Sequence, residues 1–159
     1  MKLLSILLVM IFLAGCNNRK EPEELIISGN LVNYSDCKLN SMDYLKFDGW
    51  DTNYCFNYNF NDSVHILKMQ HLNAIFNCCP DELYAEIEEI NDTLIIREFE
   101  KANYCSCVCQ YDLEFEFNGI ERKKYLIKLI VPKYYYATGD NPLIFEIDLE
   151  AEANGQYCW

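Results

Sequence analysis

Leu113, Phe115 and Phe117 alternate with Glu114 and Glu116, and Leu143, Phe145, Ile147 and Leu149 alternate with Glu146, Asp148 and Glu150. Successive side chains of a strand point to opposite faces, so a period of two sends the apolar set to a core and the charged set to water. A helix would scatter both sets around its axis. Tyr125, Ile127, Leu129 and Val131 repeat the pattern beyond Asn118-Gly119, a pair with strong hairpin preference. Further strands are expected over 25–28, 54–60, 63–71, 72–78, 83–90 and 93–100. Short strands separated by Asn, Asp and Gly turns predict an all-β chain, an antiparallel β-sandwich that is immunoglobulin-like in general architecture. Residues 25–159 read as one such domain, with no internal repeat and no second boundary.

One hairpin can be specified residue by residue. If Asn91-Asp92 is a two-residue turn, Ile90 faces Thr93, Ile87 faces Ile96, Glu86 faces Arg97 and Tyr84 faces Phe99, each a favourable cross-strand pair. A shift of one residue sets Glu86 against Glu98 or Ile96. Extended further, the same register brings Cys78 opposite Cys105.

The chain has nine cysteines. Apart from Cys16 they are Cys37, Cys55, Cys78, Cys79, Cys105, Cys107, Cys109 and Cys158, an even set that permits on the order of 100 pairings. Within a strand, Cys105 and Cys109 stand about 13 Å apart, too far to hold one zinc ion together with Cys107. No CxxC knuckle or thioredoxin-like CxxC is present. The alternate spacing suits three cysteines facing one neighbouring layer and pairing with separate partners. A bridge from Cys78 or Cys79 to the 105–109 segment is expected. The vicinal pair does not bridge to itself, because so small a ring strains the intervening peptide. A cysteine-based metal-binding or thiol-redox role is the alternative.

Charge and motifs narrow the function classes. Thirteen basic residues stand against 25 acidic ones, a net charge of −12. That argues against a nucleic-acid partner, which requires Lys and Arg to replace phosphate counterions. Neither GxGxxG nor GxxxxGK occurs, nor GxSxG, nor HExxH. His65 and His71 fall about 20 Å apart in one strand and cannot share a metal; each reads as a surface or sheet residue. Asp48, Asp51 and Asn53 lack calcium-loop spacing, and Glu114/Glu116 read as the wet face of a strand. No catalytic residue, metal or cofactor is indicated, and the chain is not read as an enzyme. The best recognition candidate is Tyr134, Tyr135 and Tyr136, bracketed by Pro132 and Pro142, whose flat faces and hydroxyl tips suit a protein or glycan partner. Asp62-Ser63-Val64 and Asp92-Thr93-Leu94 look like an O-glycosylation acceptor of some gut anaerobes.

The N-terminus concerns location. Lys2, the apolar run Leu3–Leu13 and the small residues Ala14-Gly15 precede Cys16. The run is shorter than the roughly 20 residues a membrane-spanning helix needs and has the form of a secretory signal. Leu13-Ala14-Gly15-Cys16 resembles the lipobox of bacterial lipoproteins. The resemblance implies removal of residues 1–15 as a signal peptide and lipidation of Cys16. Two or more acyl chains make a stable anchor, where one binds only marginally. Residues 16–24, polar and broken by Pro22, then form a flexible tether.

Asn77-Cys78-Cys79 followed by Cys105-Ser106-Cys107-Val108-Cys109-Gln110-Tyr111-Asp112-Leu113 is similar to a pattern in small uncharacterised lipoproteins of Gram-negative gut bacteria, over roughly 64–131. The likeness implies a compact extracytoplasmic β domain and transfers no functional residue. The sequence therefore reads as a disulfide-stapled module held to the cell envelope by lipid on Cys16, at the outer membrane, with a binding or structural role.

Overall fold

The computed structural model describes residues 25–38, 53–102, 107–131 and 142–159. Among these there is no helix, and the strands are β1 (Ser28–Tyr34), β2 (Cys55–Asn61), β3 (Ile66–Asn77), β4 (Pro80–Ile90), β5 (Thr93–Ala102), β6 (Val108–Asn118), β7 (Lys124–Ile130), β8 (Leu143–Asp148) and β9 (Asn154–Cys158). They form a five-stranded sheet in the order β1-β6-β3-β2-β9 and a four-stranded sheet in the order β4-β5-β7-β8. The two sheets pack face to face around one apolar cluster that includes Phe56, Leu67, Leu113 and Phe117 from the first and Leu94, Ile96, Tyr125 and Ile127 from the second. Burying each Leu, Ile or Phe contributes about 1.5–3 kcal/mol. The chain is thus the β-sandwich that its alternation predicts. The pairing is antiparallel except between β5 and β7, which run parallel.

The β4–β5 hairpin has the expected register, with Ile90 opposite Thr93, Ile87 opposite Ile96, Glu86 opposite Arg97 and Tyr84 opposite Phe99. Asn91 and Asp92 both have positive φ, 51° and 61°, the requirement of a type I′ turn. Near Pro80, which lacks an N–H for the ladder, the register shifts by a residue.

Asn118-Gly119 does not make the hairpin its composition suggests. β6 lies in the five-stranded sheet and β7 in the other, so the chain crosses between layers here. Gly119 has φ +76°, and a Cβ there would sit 2.5 Å from the Ile26 carbonyl oxygen. The neighbouring Ile120 is fully buried, and its N–H donates to the His65 carbonyl at 3.0 Å. Burial of one isoleucine therefore redirects a turn that local preference would close.

The stretches 63–71 and 72–78 join into the single strand β3 through a bulge between His71 and Ala74. Asn73 takes φ 62° inside it. Its side-chain amide donates to the Asn53 carbonyl at 2.9 Å, its oxygen accepts from Lys38, and its backbone N–H donates to the Asp112 carboxylate at 3.0 Å. The bulge flips the inward phase from Leu67, Met69 and His71 to Ala74 and Phe76. β9 has no apolar alternation to announce it. It docks beside β2 because Gly155 leaves room for the Tyr58 ring, whose hydroxyl would lie 2.6 Å from an added Cβ.

Candidate functional site

Three bridges among the described residues act as staples within one sheet. Beyond β1 the chain keeps running beside β6, with the Ser35 N–H on the Asp112 carbonyl and the Lys38 N–H on the Gln110 carbonyl, and this sets Cys37 against Cys109. Beyond β3 the Cys78 N–H donates to the Cys107 carbonyl at 3.2 Å, and these two cysteines are bridged. Cys55 and Cys158 are bridged across the directly paired strands β2 and β9. Cys79 is disulfide-bonded as well.

Cys78 therefore follows the β3–β6 ladder and not an extension of the β4–β5 register, because it ends a strand of the other sheet. Cys107 and Cys109 likewise reach to strands on either side of β6 and not to the facing layer. As disulfides these sulfurs offer no thiolate to a metal. Among the described residues no three His, Cys, Asp or Glu side chains gather as a metal-holding group. Cys16, Cys105, Tyr134, Tyr135 and Tyr136 lie outside the described residues, as do Asp48 and Asp51.

The two histidines differ from each other in burial. His65 sits in the β2–β3 turn, its Nδ1 3.2 Å from the Ile120 carbonyl. His71 is completely buried on β3, and its Nδ1 lies 2.8 Å from Oε1 of Glu98 on β5, also buried. The pair links the two sheets. Phe56 stacks on the imidazole with ring centres 4.9 Å apart, and Trp159 lies at 5.5 Å. His71 Nε2 and Glu98 Oε2 have no hydrogen-bond partner. No substrate reaches atoms so enclosed, so the pair is an internal clasp of this fold. The phase of each strand signals it: His71 follows Leu67 and Met69, and Glu98 follows Leu94 and Ile96, on inward positions.

The outer face of the five-stranded sheet is the surface with a distinct chemistry. Register aligns Gln156, Asn57, Gln70, Glu114 and Asn33 in one rung across β9, β2, β3, β6 and β1. Two residues along, or three on β1 where a bulge intervenes, Asn154, Asn59, Lys68, Glu116 and Asn30 form the next. Seven of these ten side chains are amides. Gln156 donates to the Asn57 oxygen at 2.8 Å, Asn33 to Glu114 at 3.5 Å, and the Lys68 ammonium lies 3.7 Å from Glu116. A shallow groove of about 350 Å³ runs over Asn57, Lys68, Gln70, Glu114 and Glu116, and Val32, Tyr58, Met69 and Phe115 also line it. Glu114 and Glu116 thus take the outward positions their alternation assigns.

The opposite outer face differs. Tyr84, Ile90, Leu126 and Ile144 are exposed on the four-stranded sheet, between the ion pairs Arg97–Glu88 at 3.0 Å and Lys124–Glu146 at 3.1 Å. Of the acceptor-like tripeptides, Asp62-Ser63-Val64 is an exposed turn, whereas Asp92-Thr93-Leu94 ends in the fully buried Leu94.

Comparison with known proteins finds no protein-family model, no curated protein and no solved structure that matches this chain.

Proposed function

We propose that this chain is a lipid-anchored binding module of a bacterial cell envelope, tethered through Cys16 at the outer membrane and acting through a preformed sheet surface without catalysis. The observation that carries this reading is the placement of the disulfides. Cys37–Cys109, Cys55–Cys158 and Cys78–Cys107 all join neighbouring segments of the five-stranded sheet, the sheet that carries the polar outer face. Ordering a recognition surface beforehand removes an entropy cost that binding would otherwise bear. Disulfides persist in oxidising compartments, which agrees with export. Leu13-Ala14-Gly15-Cys16 supports the lipid anchor, and the charged segment to Glu24 supports a spacer from the bilayer.

The test is expression of the full chain in a Gram-negative host, followed by detergent partition and intact mass. The wild type is expected to carry acyl chains and to fractionate with the outer membrane, and Cys16→Ala to lose both. Alkylation under denaturing, non-reducing conditions is expected to modify none of the other eight cysteines. An unlipidated Cys16 would remove the anchor. Several alkylated thiols with stoichiometric bound metal would replace the binding reading with the cysteine-based one.

A further inference from the structure

We propose that the two amide rungs of the five-stranded sheet form a site for a neutral, hydroxyl-rich ligand, a glycan chain lying across the strands. The inference rests on the binding-module reading and names its ligand class.

The chemistry of the face selects the class. A side-chain amide presents a donor and an acceptor in one plane, and a carboxylate accepts from two donors. Vicinal hydroxyls, each both donor and acceptor, answer that pattern. Neighbouring strands stand about 4.8 Å apart, close to the length of one pyranose unit, so a chain laid along a rung meets one amide or carboxylate per sugar. Asn57, Gln70 and Glu114 are three successive positions of this kind.

Charge argues against ionic partners. The whole chain is at −12, yet the two rungs carry a single net negative charge: Lys68 lies against Glu116, and Glu114 accepts from the neutral Asn33 amide. A basic peptide would find few uncompensated carboxylates, and an anionic polymer only one ammonium. An apolar partner would find Val32 as the exposed apolar side chain of the groove, since Met69 and Phe115 beneath it are buried. The staples at Cys37–Cys109 and Cys55–Cys158 fix strands on both flanks of the rungs, so the amides are presented without prior ordering.

The experiment is affinity electrophoresis of the full lipidated chain in detergent through gels containing dextran, mannan or a mixed-linkage β-glucan. Heparin and polylysine serve as charged controls. At least one neutral polysaccharide is expected to retard the protein. Asn57→Ala and Gln70→Ala should each weaken that retardation about 5–10-fold, the loss of one hydrogen-bonding amide, and Arg97→Ala on the opposite face should leave it unchanged. Asn59→Ala, at an exposed position, guards against loss through misfolding, and near-ultraviolet circular dichroism checks each variant. Absence of retardation by all three neutral polysaccharides overturns the proposal. So does stronger binding to heparin or polylysine, retardation insensitive to the rung variants, or self-association that those variants abolish. With Cys16 lipidated and the disulfides intact, any such failure removes the glycan and leaves the anchored module standing.

Discussion

The two sheets solve the same packing problem with different means. The four-stranded sheet contains no cysteine in its strands, and its outer face mixes exposed Tyr84, Leu126 and Ile144 with ion pairs. Tyr84 stacks on Phe99 there, ring centres 5.2 Å apart. The five-stranded sheet leaves its outer rungs to amides and takes its extra stiffness from covalent bonds. Apolar cross-strand pairs support a sheet from outside; hydrated amides do so much less. The comparison teaches that a sheet whose outer face has little apolar cross-strand support can take its rigidity from elsewhere, and here disulfides join its strands.

The sharpest way to probe this division is the clasp that joins the sheets. Glu98→Leu strands His71 in the core, and removing one member of a buried pair costs about 3–5 kcal/mol. The double variant His71→Leu/Glu98→Leu should recover most of that loss. Urea denaturation of the three proteins decides it, and equal stability of the single and double variants would deny the pair its linking role. Next in size is Cys55→Ser/Cys158→Ser, which opens a loop closed over 103 residues of sequence and should cost about 2–5 kcal/mol. Hydrogen exchange should quicken in β2 and β9 and stay slow in β4 and β5; uniform quickening would erase the contrast between the sheets.

Gly155→Val tests the edge of the stapled sheet, where the new side chain meets the Tyr58 ring; about 1–3 kcal/mol is expected from overpacking, read as a lower urea midpoint. Tyr111, whose hydroxyl donates to the Asn77 carbonyl at 3.0 Å, gives the sheet a pH signature. Burial, aided by the nearby Glu100 charge, pushes its pKa from 10.0 up to about 12. The fold favours the neutral phenol, so this stabilisation is present below pH 10 and is lost as pH rises toward 12. Tyr111→Phe should cost about 1 kcal/mol at neutral pH and show a shallower decline in stability between pH 10 and 12. Arg97→Ala, on the unstapled sheet, should cost under about 1 kcal/mol, since its partner Glu88 is half exposed. A larger loss would show that the four-stranded sheet also depends on specific ties.

Period-two alternation carried most of the fold, because it is local. Leu113–Phe117 and Leu143–Leu149 identified their strands, and the Asn91-Asp92 turn with its cross-strand pairs set a register that the structure repeats. Reading failed where a distant residue overrode local preference. Ile120 turns Asn118-Gly119 into a crossing between layers, and the Asn73 bulge is held by Asp112, Lys38 and Asn53 from three other segments. β9 stayed hidden because docking against β2, and not its own pattern, makes it a strand. The rungs show the same limit. Asn57, Gln70 and Glu114 could each be recognised as outward-facing, but their alignment depends on the order β1-β6-β3-β2-β9, which no single segment encodes.

The junction of β2 with β9 also sets a timetable. The β4–β5 hairpin closes over a two-residue turn and can form within about 1–10 μs, while strands distant in sequence pair far more slowly. Cys55 waits as a thiol while more than a hundred residues follow it, with Cys78 and Cys79 nearer at hand. Only docking of β9 brings Cys158 within reach. The Cys55–Cys158 bond is therefore the chain's certificate of completed assembly, and its yield should depend on disulfide isomerisation more than that of Cys37–Cys109 or Cys78–Cys107.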